Sequence, residues 1–281
     1  MSTPVFTDEE LQRRLHVAKL ACLTAGQLHR ESYQTNVAIK TKSSGIDLVT
    51  HVDEEADRAI REILTSLCPQ DKVMTEETYE DSHAFDFSQT WVVDPLDGTT
   101  NYAHGFPYFA VSIAFVVDGI PQVATVYDAM HQELFSAVRG QGAFLNELPI
   151  AVSRNNDLSQ SLLATGFPYD THIKPEDNMG YFLKFMTTCH GVRRAGAAAL
   201  DLAYTACGRL DGFWELRLAP WDILAGALLI EEAGGQISDF FGESLNFAQR
   251  KINIVGSNGA ALHQQIVDIC KDSPIAVQAT R

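Results

Sequence analysis

The sequence predicts an α+β protein with helices and sheets interspersed along the whole chain. Three observations carry this. Amphipathic helical patterns open the chain, an antiparallel meander fills its middle, and strands alternate with helices after residue 150. The switch near 150 divides the 281 residues into an N-terminal half, 1–150, and a C-terminal half, 151–281, expected to form one compact unit.

Each element has its own signal. Thr7-Asp8-Glu9-Glu10 reads as a capping box, with the hydroxyl at the cap and a glutamate three residues on. Leu11, Leu15, Ala18, Cys22 and Ala25 follow at steps of four and three, which predicts a helix to about residue 30. Lys40 to Gly45 is polar and reads as a loop. A second helix is expected to open near Asp53, where Asp53-Glu54-Glu55 suits the positive end of the helix dipole. Ala56, Ile60, Ile63, Leu64 and Leu67 form its buried face, and Pro69 stops it. Lys72 to Thr75 is a short strand that ends at Glu76-Glu77.

Trp91-Val92-Val93 is an apolar strand running directly into Asp94-Pro95-Leu96-Asp97-Gly98-Thr99-Thr100-Asn101. Phe109 to Val117 is rich in β-branched and aromatic residues and reads as a central strand. Asp118-Gly119 is a hairpin turn, and Gln122–Tyr127 and Glu133–Arg139 complete the meander. In the second half, strands are expected at 162–165, 211–216, 236–239 and 252–256. Helices are expected at about 176–189, 197–207, 221–233 and 259–271; Gly208 closes the second of these and Gly234-Gly235 the third.

Composition narrows the function. Apolar residues make up 46% of the chain, enough for an ordinary core, and no run approaches the ~20 apolar residues that span a bilayer. The first seven residues carry no basic segment followed by an apolar one, so a cytoplasmic location is expected. Lys and Arg number 21 against 36 Asp and Glu, a net charge of −15 that repels nucleic-acid backbones. The longest basic cluster is Arg193-Arg194. Cys22, Cys68, Cys189, Cys207 and Cys270 are scattered without a C-x-x-C pair, which reads as reduced thiols rather than a zinc or redox centre.

The informative segment is Asp94-Pro95-Leu96-Asp97-Gly98-Thr99. Pro95 restricts Asp94 to an extended backbone, and Gly98 permits a tight turn. Asp94, the Leu96 carbonyl and Asp97 then surround one volume, an oxygen set suited to Mg2+, while the Gly98 and Thr99 amides face a phosphate. Glu76-Glu77 and Trp221-Asp222 add carboxylates, and Asp53 stands ready upstream. Singly, the glutamates also read as a solvated face, and Asp53 and Asp222 as helix caps. Their joint presence in one chain favours a site.

These motifs resemble the inositol monophosphatase family of Mg2+-dependent, lithium-sensitive phosphatases. The resemblance rests on Trp91 to Asn101, Trp221 to Gly235, Gly45 to Asp53 and Glu76-Glu77, in the family's order. Ala164 to Pro168 and Arg193 to Leu202 are similar to the bacterial inositol-1-monophosphatase type. The resemblance implies a layered α-β-α-β-α sandwich. It implies that Glu76, Asp94 and the Leu96 carbonyl hold a first Mg2+, that Asp94, Asp97 and Asp222 hold a second, and that Glu76 touches a weaker third. Thr99 and Asp53 would orient the attacking water, with Glu77 assisting nearby. Asp97, Gly98, Thr99, Gly196, Ala197, Ala198, Glu215 and Asp222 would contact substrate. Lys42 matches a lysine near the family's metal site and reads equally as a solvated loop residue. Asp201 reads equally as a structural carboxylate or a polyol contact. Ala197 stands where many relatives carry Thr or Ser.

The implied activity is inositol-phosphate hydrolysis on a small-molecule phosphate monoester, by a homodimer. No cysteine, histidine or serine motif points to a phosphoenzyme, so direct attack by water is expected. Histidinol phosphate, fructose-1,6-bisphosphate and 3′-phosphoadenosine 5′-phosphate are the alternative substrates, and a regulatory scaffold is the alternative class.

Overall fold

The computed structural model describes residues 6–34, 39–41, 48–79, 85–168 and 176–272. Helix α1 (Asp8–Ser32) starts at the expected capping box: the Glu10 amide donates to Thr7 Oγ1 at 3.2 Å, and the Thr7 amide donates to Glu10 Oε2 at 2.8 Å. A small antiparallel pair, β1 (Ile39–Thr41) and β2 (Leu48–Thr50), precedes α2 (His51–Leu67). The start of the Lys40–Gly45 stretch is therefore strand rather than loop. Three-residue strands are too short to show the alternation by which strands are recognised.

Seven strands form the first sheet in simple chain order: β3 (Lys72–Thr75), β4 (Gln89–Asp97), β5 (Ala110–Val117), β6 (Ile120–Asp128), β7 (Glu133–Val138), β8 (Ala143–Leu145) and β9 (Leu148–Pro149). Only β3–β4 is parallel. Asp118 and Gly119 both take positive φ, 48° and 80°, as the expected two-residue hairpin demands. β4 does not end at Val93. It continues to Asp97 through a register shift between Asp94 and Asp97, and a one-turn helix α3 (Thr99–Ala103) follows.

The second sheet has the order β11-β10-β12-β14-β13. Its strands are β10 (Leu162–Thr165), β11 (Gly191–Arg193), β12 (Gly212–Leu218), β13 (Gln236–Ser238) and β14 (Ile252–Ser257). Between them run α4 (Glu176–Thr188), α5 (Ala198–Ala206) and α6 (Pro220–Glu232), and α7 (Ala260–Lys271) follows. Strands β8, β9 and β11, none longer than three residues, were not expected from the sequence.

Five layers result, in agreement with the expected sandwich. Alternation on β5 explains the first three. Val111, Ile113 and Phe115 pack with α1 and α2, whereas Ala110 and Ala114 face Leu202 of α5 and Ile223 of α6. α6 is apolar on every side, with Ile223 to Ile230 all buried, because sheets cover both of its faces. On the far face of the second sheet, Leu163, Trp214 and Val255 pack against Tyr181 and Phe185 of α4 and Ile266 of α7. The central helices touch closely at Gly226, where a Cβ would lie 2.4 Å from the Leu202 Cβ.

One buried ion pair ties α1 to the edge of the first sheet. Arg14 forks onto Asp71 at 3.0 and 2.9 Å, its guanidinium lies over the Phe6 and Phe115 rings, and the Trp91 indole donates to the same carboxylate at 3.1 Å.

Candidate active site

A cavity of about 440 Å³ opens where β4 and the N-terminal ends of α3 and α6 meet the second sheet. Its wall brings together Glu76, Asp94, Leu96, Asp97, Gly98 and Thr99, with Gly196, Ala198, Glu215 and Asp222 from the second half. Residues scattered over 147 positions of sequence thus share one concavity.

Local chemistry fixes each side chain. Asp94 Oδ1 accepts from the Leu96 amide at 3.0 Å, a turn bridging the irregularity of β4. Gly98 adopts φ 94°, and a Cβ there would meet the Tyr108 carbonyl at 3.0 Å and the Ala197 Cβ at 3.3 Å. Only glycine combines that conformation with that approach. Thr99 Oγ1 lies 3.0 Å from both Asp53 Oδ1 and the Leu96 carbonyl. Asp53, in the first turn of α2, is buried and is linked to the site by this hydroxyl bond.

Two carboxylates are gripped by helix starts. Asp97 Oδ2 accepts from the Ala199 amide at 2.7 Å, at the opening of α5. Asp222 Oδ2 accepts from the Ala219 amide at 2.7 Å, at the opening of α6. Among the described residues, no three Asp, Glu, His or Cys side chains close into a metal cage of their own.

The electrostatics are those of crowded acids. Burial, reinforced by the negative charges of Glu215, Asp201 and Glu76, raises the Asp97 carboxyl well above its ordinary range despite the Ala199 amide. Burial also raises Glu215, with Asp201 and Asp222 adding to it and Arg194 opposing. The donor set suits a hard divalent cation: carboxylates and a backbone carbonyl, with repulsion that a dication would relieve.

The expected residues are not all on the wall. Ala197 is buried at the N-cap of α5, behind Gly98. The expectation that it lines the pocket is therefore corrected, because its Cβ faces the turn rather than the cavity. Glu77 is half-buried in the 3-10 turn after β3 and lies off the cavity wall. Lys42 lies outside the described residues. Asp201 is buried and off the wall, and its Oδ1 accepts from the Tyr108 hydroxyl at 2.7 Å.

A model of the inositol monophosphatase family matches residues 10–274. The chain belongs to the inositol monophosphatase family. Inositol-1-monophosphatase from Synechocystis is 39% identical over 271 residues, covering 96% of this chain and 93% of that protein. Nus factor SuhB from Escherichia coli K12 is 45% identical over 229 residues, 81% of this chain and 85% of that protein. The solved inositol monophosphatase from Anabaena superposes with a TM-score of 0.83 at 38% identity, over 95% of this chain and 99% of that one. These findings make the chain a member of a phosphatase family with the family's fold. No helix among the described residues is long and apolar enough to cross a membrane.

Sequence reasoning gave no site role to several residues of this inositol monophosphatase-family cavity, although Asn101 and Arg194 fall within its motifs. Asn101 Nδ2 donates to the Tyr108 carbonyl at 2.7 Å and the Ala195 carbonyl at 2.9 Å, tying α3 to the loop before α5. Arg194, Arg217 and Lys251 line the cavity. Arg217 takes φ 60° inside a bulge of β12, where the register shifts between Glu215 and Leu218. Holding a non-glycine residue there costs about 1–3 kcal/mol. Arg217, a single basic residue within an apolar strand, carries no such signal in sequence.

Proposed function

We propose that this protein hydrolyses a small, soluble phosphate monoester, with myo-inositol monophosphate as the leading substrate, in a Mg2+-dependent reaction. The supporting observation is that Glu76, Asp94, Leu96, Asp97 and Asp222 share one cavity with Thr99, whose hydroxyl bonds the buried Asp53. Glu76, Asp94 and the Leu96 carbonyl would hold one ion, and Asp94, Asp97 and Asp222 another. Bound Mg2+ supplies charge neutralisation and a Lewis acid, with which a phosphate monoester dianion is attacked far more easily.

The chain's own groups do the rest. Thr99 Oγ1 donates its single proton to Asp53 or the Leu96 carbonyl, which leaves its lone pairs to accept from a water. That water is thereby held and oriented towards phosphorus. The Gly98 and Thr99 amides open α3, have no acceptor within the helix and bind phosphoryl oxygens. Glu215 sits against Gly166, where a Cβ would be only 2.1 Å from its Oε1, so its carboxylate is fixed for substrate hydroxyls. A homodimeric state and a cytoplasmic location complete the proposal.

Phosphate release by the purified protein with Mg2+ tests this reading. The panel is myo-inositol 1-phosphate, histidinol phosphate, fructose-1,6-bisphosphate and 3′-phosphoadenosine 5′-phosphate. The highest kcat/KM is expected for the inositol ester, and no release from any of them overturns the hydrolase. A second reading, a regulatory partner role, is favoured by the relative named Nus factor SuhB. An Asp94→Asn variant separates the two: full cellular function without turnover supports the partner role.

A further inference from the structure

The wall of the cavity that carries Glu215 is set from behind. β10 and β12 run parallel with Thr165 opposite Trp214, so the next residues, Gly166 and Glu215, lie side by side where the two strands reach the cavity. Side chains alternate across a sheet. Trp214 turns to the far face, where its ring packs on Phe185 of α4 with centroids 4.0 Å apart, and Glu215 turns to the cavity. Gly166 leaves the space that the Glu215 carboxylate fills: a Cβ there would lie 2.1 Å from Oε1 and 2.3 Å from Oε2. The place of that carboxylate therefore depends on where the Gly166 backbone lies.

One buried amide holds that backbone. Asn178, on α4, is completely buried and lies off the cavity wall. Its Oδ1 accepts from the Trp214 indole at 2.9 Å. Its Nδ2 donates to the Gly166 carbonyl at 2.5 Å and to Thr165 Oγ1 at 3.0 Å. The Thr165 hydroxyl donates in turn to the Gly166 carbonyl at 3.3 Å. Chemistry fixes the orientation of the amide. An indole N–H can only donate, so the Asn178 oxygen must face Trp214, and both amide hydrogens then point to the end of β10. A buried asparagine is costly unless its bonds are made. Here they are made to the backbone and side chain next to Glu215, on the opposite face of the sheet from the cavity.

We infer that Asn178 is a positioning residue for substrate recognition: from behind the second sheet it holds the Gly166 backbone against Glu215, and so sets how that carboxylate meets substrate hydroxyls. This deepens the proposed phosphatase function and rests on the Glu215 contact within it. Asn178 touches no substrate itself, and the chemistry at phosphorus does not pass through it.

The test is a double-mutant cycle on the full-length protein with Mg2+ and myo-inositol 1-phosphate. Asn178→Asp keeps the acceptor for Trp214 and sets a second oxygen against the Gly166 carbonyl. Asn178→Ala removes both donors without adding a charge. Either should raise KM about fivefold or more while kcat stays within about twofold, as when a contact made equally in ground and transition states is weakened. In a Glu215→Ala background the same changes should move KM by less than about twofold, because the residue through which Asn178 acts is gone. Phe185→Leu is the control for a merely structural role. It loosens the same helix against Trp214 and leaves the amide in place, so its melting temperature should fall while KM stays within about twofold of the parent. Equal KM shifts in the two backgrounds overturn the inference, as does an unchanged KM in both Asn178 variants or a shift in Phe185→Leu as large as theirs. A parent protein that releases phosphate from no ester of the panel overturns instead the phosphatase reading beneath it.

Discussion

Thr99 Oγ1 has one proton and two acceptors at equal distance, Asp53 Oδ1 and the Leu96 carbonyl. Whichever it serves, it can present only lone pairs to the cavity, which is why the role proposed for it in turnover is to orient water. Thr99→Ala should lower kcat by on the order of 10²-fold with little change in KM, since the contact matters most in the transition state. A rise in KM alone would contradict the assignment. Asp94→Asn keeps the Oδ1 acceptor for the Leu96 amide but loses the charge. It should fold normally by circular dichroism and lose nearly all phosphate release.

Asp201 gives a residue-scale prediction about pH. Burial pushes its carboxyl up from the ordinary 3.8 to about 7, although the Tyr108 hydroxyl and the Arg194 charge pull the other way. A carboxyl raised by folding is protonated in both states at low pH and ionised in both above its folded value. The folded state binds more protons in between, so stability falls as pH rises from about 4 to about 7. Asp201→Asn keeps the acceptor for Tyr108 and removes the charge. The variant should therefore gain stability over the parent at pH 8, by up to about 4 kcal/mol, and not at pH 4. Urea unfolding in chelator at the two pH values measures this; an unchanged difference between them would sink the argument.

At the scale of elements, the site depends on how closely α5 and α6 approach. Their starts hold Asp97 and Asp222 through the Ala199 and Ala219 amides. The separation of the helices is set by Gly226 against Leu202, with no room for a methyl group. Gly226→Ala gains helix propensity of about 1 kcal/mol but forces the helices apart, and overpacking costs about 1–3 kcal/mol. A net lower melting temperature is expected, together with weaker Mg2+ activation. A variant as stable as the parent would show that the helix pair yields easily.

Across the whole molecule, five layers bring the two halves of the chain to one acidic cavity, and crowding of carboxylates there opposes folding until a cation binds. Mg2+ at 100 times its Kd should raise stability by about 2.7 kcal/mol, seen as a higher melting temperature. The shift should be absent in Asp94→Asn and reversed by EDTA in the parent. An equal shift in the variant would place the ion elsewhere.

Much of this was legible in the sequence because its causes are local. The capping box at Thr7, the Asp118-Gly119 turn, the stop before Pro69 and the continuous apolar run of β5 each act within a few residues, so pattern and structure agree. The string from Trp91 to Asn101 announced a site because a strand, a proline, a glycine and two carboxylates constrain one short backbone. What the sequence by itself determined was therefore the main helices and strands and the acidic segments that line the cavity. Only the tertiary structure decided that Ala197 stands behind Gly98, that Asp201 bonds Tyr108, and that Arg217, at the β12 bulge, lines the cavity. Those facts depend on contacts between segments about 90 or more residues apart, or on a register shift between two strands, and no window of sequence contains either.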